Sequence, residues 1–128
     1  MERFDHYFEN HIAKIVDLES ATIIDYYNPD FALQYNLRFI FDKKNSTLCI
    51  TGDFGNLTAH NFYNLGDYHK AYKHFCNNVG YFVEKIRCCS RNIYTDDKNV
   101  SNIIYLYLDA YRRAYEYLIA DLMGDKNE

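Results

Sequence analysis

The chain has no tryptophan, a single proline and only five glycines in 128 residues. No stretch reads as a flexible linker or low-complexity segment, and no internal repeat is found, so one folded domain accounts for the length. No apolar run approaches the roughly 18 residues that a bilayer-spanning helix needs. Met1 is not followed by the cationic stretch and apolar core of a secretory signal, which leads us to expect a cytoplasmic protein. The four cysteines, Cys49, Cys76, Cys88 and Cys89, form no CxxC, and the adjacent pair is a poor candidate for a bridge, so free thiols are expected. The net charge of −4, unevenly spread, is too weak for a DNA mimic and too weak for a dedicated nucleic-acid domain.

The catalytic signatures are missing as well. "ITGDFG" at Ile50–Gly55 contains the Asp-Phe-Gly triplet of protein kinases. A kinase aspartate works only with a Gly-rich loop, a strand lysine and a catalytic-loop Asp and Asn. None of these is present, and GxxxxGK[ST] is also absent, which removes P-loop chemistry. Gly52 and Gly55 are therefore read as the hinges of a tight turn between strands, with Asp53 on that turn.

Tyrosine and phenylalanine are abundant. Fourteen Tyr and nine Phe make up 18% of the chain. A phenol ring buries a large apolar area and keeps a polar tip, so it serves cores and binding surfaces alike. Charge is uneven along the chain. Residues 1–30 carry seven acids and two bases, residues 31–94 four acids and eight bases, and residues 95–128 seven acids and four bases. An acidic start and end flank a basic middle.

Periodicity suggests an α+β fold. Residues 2–19 place Phe4, Phe8, Ile12, Ile15 and Leu18 at helical spacings, with Glu2 and Asp5 at the end that favours acids. Pro29 marks Asp25–Asp30 as a connection. The period then becomes two. Leu33–Phe41, Thr47–Thr51 and Asn56–Phe62 read as a three-stranded antiparallel sheet spanning about 33–62, with Gln34, Asn36, Arg38, Cys49 and Thr51 on a wet face. After the N-cap candidate Asp67, a helical stripe runs from Tyr68 to Cys89, as one kinked helix or two broken near Gly80. Ser90–Asn99 is a loop. The last helix begins near Val100, keeps one apolar face for about six turns, and ends at Gly124. The expected architecture is a small sheet packed by an N-terminal helix and two or three C-terminal helices.

No complete catalytic set emerges, and no cofactor or metal is expected. His69, His74 and Cys76 do not share helical spacing for a metal. Cys49 and His60 fall on neighbouring strands, which makes a thiol–imidazole pair conceivable. Asp96–Asp97 or Glu84 could serve as paired acids. The cations of segment 38–91 together with exposed rings would suit nucleic acid. A protein contact is the broader expectation. Its candidate residues are Asp53, Asp96 and Asp97 in turns, with Tyr105 and Tyr117, which fall off the apolar stripe of the last helix. A homodimer through that helix is compatible with the same pattern.

The run "LQYNLRFIFDKKNSTLCITGDFGNLT", Leu33–Thr58, and "YFVEKIRCCSR", Tyr81–Arg91, resemble segments of small proteins from phages and mobile elements of Firmicutes. The shared pattern is a strand, an FDKK-like turn, a second strand and a G-D-aromatic-G turn, followed by a helix. The two segments cover under a third of the chain and carry no chemical residue. Proteins of this size and origin are often inhibitors of host defence, including anti-CRISPR proteins. The resemblance therefore implies a non-enzymatic partner of a bacterial defence protein, such as a CRISPR effector, acting in the host cytoplasm. The alternative is a nucleic-acid-binding module built on segment 38–91.

Overall fold

Period-two patterning begins earlier in the chain than the sequence suggests. The computed structural model describes residues 3–31, 34–96 and 98–124. In it, α1 (Asp5–Phe8) is a single turn, and β1 (Ile12–Asp17) and β2 (Ala21–Tyr27) form a hairpin. β3 (Leu37–Asp42), β4 (Thr47–Gly52) and β5 (Leu57–His60) continue the meander. Two short helices follow, α2 (Tyr68–Phe75) and α3 (Val79–Lys85), and then β6 (Ile86–Cys89). A 3-10 turn at Arg91–Ile93 leads to α4 (Asn102–Leu122). All six strands form one antiparallel sheet in chain order.

The α+β class fits, but the three-stranded sheet is overturned: six strands pair. The expected helix over residues 2–19 survives only as α1. Ile12, Ile15 and Val16 satisfy a helical stripe, but β-branched residues also suit a pleated surface. The partner strand decides between the two. Thr22, Ile24 and Tyr26 are buried while Ile23, Asp25 and Tyr27 are less so, a strict alternation that makes β2 a strand and not a connection. At the other end, the stripe from Tyr68 is two helices, separated at Asn77–Asn78, and its tail is β6. Ile86 leaves the helix at φ −68°, ψ 128° to pair with β5 through a register shift at Thr58/Ala59. The last helix stands as the periodicity indicates, capped by the Ser101 side chain.

The core lies between one sheet face and the helices. Ile24, Leu37, Phe39, Phe41, Ile50, Leu57 and Ala59 point inward, against Ile104, Tyr107, Ala110, Tyr111 and Ala114 of α4. Tyr111 meets Phe39 edge-on at 5.1 Å and donates its hydroxyl to the Tyr68 carbonyl at 2.6 Å. The Tyr107 hydroxyl donates to the Gly55 carbonyl. Burial pushes both phenols above their ordinary range.

An aromatic cluster closes one end. Tyr7 and Phe8 of α1 pack with Tyr35, Phe54, His11 and Tyr26. Tyr35 sits at φ 58°, a left-handed conformation uncommon for an aromatic residue. His11 holds it there: Nε2–H donates to the Tyr35 carbonyl at 2.9 Å. The ring is 8% exposed and its Nδ1 has no hydrogen-bond partner.

A Cβ at Gly52 would stand 2.0 Å from the Asn36 carbonyl oxygen, at φ +140°. Gly52→Ala should cost about 3 kcal/mol in urea unfolding, through clash and strain together. Burial lowers the pKa of His11 from its ordinary 6.5, opposed in part by the bond to Tyr35. The folded state then binds fewer protons at His11 than the unfolded chain does, so stability falls as pH drops below about 6.5. Lowered carboxylates such as Asp17 and Asp42 add their own loss only in the more acidic range beneath 3.8. Between pH 7 and 5 the melting temperature should decline, and His11→Gln should flatten that decline.

Candidate functional site

Among the described residues, helices cover one face of the sheet and none covers the other. Lys14, Asp25, Arg38 and Thr51 lie opposite one another across β1 to β4. One rung over, Val16, Ile23, Ile40, Cys49, Thr58 and Cys88 cross all six strands. A charged row thus runs beside a largely apolar one, two residues or about 7 Å away along the strands. The charged row borders an open concavity of about 490 Å³, with Tyr27 and Asn36 at its side.

The electrostatics of this face are partly fixed. Arg38 donates to both oxygens of Asp25, from Nε at 2.7 Å and from Nη2 at 3.0 Å, and this bond raises the guanidinium's pKa. Both partners are well exposed, so the pair orients the surface more than it stabilises the fold. Lys14 differs. Its ammonium lies 5.9 Å from the Tyr27 ring centroid, and no carboxylate of a described residue lies within 4 Å of it. Among the described residues the face offers one cation without an ion-pair partner, a bidentate ion pair, the Thr51 hydroxyl and apolar flanks, which suits recognition more than reaction.

The residues singled out from sequence are scattered. Gly52 and Gly55 have φ of 140° and 116°, and a Cβ at Gly55 would come within 2.9 Å of Ile93. Asp53 brackets the start of β3. Its Oδ2 accepts from the Asn36 N–H at 3.0 Å, and its own N–H donates to the Asn36 carbonyl at 3.0 Å. Asp96 closes its loop by accepting from the N–H groups of Lys98 at 2.9 Å and Asn99 at 2.8 Å. Asp97 lies outside the described residues. Asp96 and Tyr105 share an open cleft of about 570 Å³ with Val79 and Val83 of α3. Tyr117 stands twelve positions from Tyr105 along α4, about 18 Å away, and does not border that cleft.

The candidate chemistry does not assemble into a site. Cys49 lies opposite Thr58, whereas His60 lies opposite Thr47 and its Nδ1 is 3.3 Å from the Thr47 hydroxyl. His69 meets the Tyr115 hydroxyl through Nδ1 at 2.7 Å. Burial raises the Cys76 thiol to about 12, which makes it a poor nucleophile. Among the described residues, no group of three or more His, Cys, Asp or Glu could hold a metal ion. No described helix is long and apolar enough to cross a membrane.

No protein-family model, curated protein or solved structure matches this chain. Sequence reasoning placed Arg38, Cys49 and Thr51 on the wet face and missed Lys14, Ile23 and Asp25. These three come into line only when β1 and β2 pair; the alternation of Thr22, Ile24 and Tyr26 was the available signal.

Asp53→Ala tests whether that carboxylate holds structure. Loss of one charge-assisted bond to a backbone N–H should lower stability by about 1 kcal/mol in urea unfolding, without altering the far-UV spectrum.

Proposed function

We propose that this chain is a small non-enzymatic protein of phage or mobile-element origin that binds a bacterial defence protein, such as a CRISPR effector, and blocks it by covering a surface in the host cytoplasm. The observation that carries this reading is the bare face of the six-stranded sheet, on which an apolar row and a charged row cross four or more strands together. Cores of protein interfaces combine apolar area with a few well-placed charges in this way. The segment Leu33–Thr58, on which the resemblance to phage and mobile-element proteins rests, contains the two central strands β3 and β4.

The charge distribution favours a sheet contact over mimicry of nucleic acid by the acidic segments. Asp5 pairs with Arg113, Asp17 with Lys43 and Asp25 with Arg38. Acids already matched to cations of their own chain compete weakly for a basic channel.

Phage plating on a host that carries the defence system tests this reading. Expression of the protein should restore plating, and the purified protein should retain a named component of that system. Val16 is 53% exposed on the bare face. Val16→Glu combined with Lys14→Ala should reduce the rescue at least about tenfold, the equivalent of about 1.4 kcal/mol of binding, while the melting temperature stays close to that of the parent. Absence of rescue together with absence of any retained defence component would overturn it.

A further inference from the structure

The loop after β5 is built to hold two aromatic rings in water. Asn61 is 6% exposed. Its Oδ1 accepts from the N–H groups of Tyr63 at 2.8 Å and Asn64 at 3.1 Å, and its Nδ2 donates to the Tyr81 hydroxyl at 2.8 Å. Its own N–H donates to the Ser46 carbonyl at 3.1 Å, and its carbonyl accepts from Asn64 and Leu65. A buried amide engaged on every side fixes the backbone around it. Yet Phe62 and Tyr63 are each 77% exposed, the highest values of any large apolar side chain described. Neither ring packs against the described core; they meet only each other in the aromatic contacts of the described residues.

Their surroundings carry cations. The pair borders an open cleft of about 360 Å³ whose opposite wall is the α3–β6 junction, with Glu84, Lys85 and Arg87, and with His60 beside it. Lys85 lies 5.1 Å from the Tyr81 ring centroid. No carboxylate of a described residue lies within 4 Å of Lys85 or Arg87. Elsewhere in the basic middle segment, Arg38 and Lys43 are matched by Asp25 and Asp17. Lys44, Lys70, Lys73 and Arg91 are likewise without an ion-pair partner among the described residues, so what sets this cleft apart is that its two free cations face two exposed rings.

We infer that the cleft between Phe62–Tyr63 and Lys85–Arg87 binds single-stranded nucleic acid. Bases stack on the two rings, and the phosphates meet Lys85 and Arg87. Every base has a π-face, so stacking on aromatic side chains beside cations gives affinity without a sequence code. The two rings stand at 86° with centroids 5.5 Å apart. Rings set at right angles cannot continue one base stack, but they can each take a base from a strand whose bases are splayed. A duplex cannot offer that without unpairing. Glu84, the one acid among the described lining residues, can accept from a base N–H, such as N3–H of thymine or uracil. This inference does not rest on the defence reading, and an oligonucleotide titration is blind to phage plating.

Fluorescence anisotropy with labelled oligo-dT and oligo-rU of about twelve nucleotides, at about 50 mM salt, tests it. Both should bind, and a duplex of the same length should bind far more weakly. Phe62→Ala and Tyr63→Ala should each weaken binding about tenfold. Lys85→Ala with Arg87→Ala should reduce the slope of log affinity against log salt by about 1.4. These side chains are exposed or half-exposed, and unchanged melting curves would show that the fold is kept. No binding at low salt would overturn the inference. So would affinity unchanged in the Phe62→Ala/Tyr63→Ala variant, or equal affinity for duplex. If that variant instead loses a retained protein partner while neither oligonucleotide binds the parent, the surface is a protein contact and the inference is wrong.

Discussion

Two buried phenols determine where α4 lies, and the rest of the molecule follows from its position. Tyr107 and Tyr111 sit one turn apart on the same helix face, 1% and 4% exposed. A buried hydroxyl without a partner costs on the order of 1–3 kcal/mol, so each requires an acceptor. Tyr107 finds the carbonyl of Gly55, at the end of the β4–β5 turn, and Tyr111 finds that of Tyr68, in the first turn of α2. The helix is thereby fixed to the sheet at one point and to the neighbouring helix at another. Greasy packing alone would let α4 slide along the sheet; two directional bonds at fixed spacing set its register. They also explain why the β4–β5 turn is so constrained. Gly52 and Gly55 both take positive φ there, and the carbonyl that Tyr107 needs is presented from that turn.

A second chain of contacts ties the ends together across the exposed side of α4. Asp5 in α1 meets Arg113, Arg113 meets Asp109, Asp109 meets Arg112, Arg112 meets Glu116, and Glu116 accepts from the Tyr72 hydroxyl of α2 at 2.7 Å. The last bond, the largest cause, raises the Tyr72 phenol to about 12. Isolated surface pairs contribute little. A connected network in which each internal group has two partners loses less side-chain entropy per bond, and this one joins three helices. The acidic start of the chain thus has a structural use: Asp5 of the first segment meets Arg113 of the last, and Asp17 and Asp25 meet Lys43 and Arg38 of the middle.

How much could be read from sequence depended on how local each element's cause is. α4 was legible because six turns of one apolar face specify a helix without any partner. The β3–β4 hairpin was legible because the alternation from Leu37 to Phe41 is uninterrupted and "DKKNS" turns it. β1 was misread because Ile12, Ile15 and Val16 fit a helical stripe, and only pairing with β2 makes the segment a strand. β6 was misread for the same reason: "IRCC" continues a helical stripe, and the open edge of β5 draws it into the sheet. The candidate surfaces inherit this division. Arg38 and Thr51 lie on legible strands, while Lys14 and Asp25 acquire their neighbours from a register that no local pattern contains. Phe62 and Tyr63 are a third case. Their ring type is visible in the sequence, but their exposure is created by Asn61, whose own burial depends on Tyr81 twenty residues away.

A six-stranded meander with helices on one side has a bare face and two open edges, and both invite unwanted pairing. The edges are treated differently. β6 is only four residues long, has a register shift against β5 and carries Arg87, all of which spoil it as a template. β1 is six residues long, its pairing with β2 is regular, and it exposes Val16 with Leu18 just beyond its end. The Leu18 N–H bonds to the Ala21 carbonyl. By the alternation of an antiparallel ladder, Lys14 and Val16 then turn their backbone groups toward β2, and Ala13, Ile15 and Asp17 turn theirs outward. Lys14 is the only charge on the bare side of this strand. A second copy paired antiparallel about Lys14 would set two ammonium groups face to face, which is unfavourable. The same residue that opposes self-pairing leaves an uncompensated cation beside the apolar row. Charge at β1 therefore disfavours that one self-pairing register, and an acid set opposite Lys14 would favour a strand at the same place.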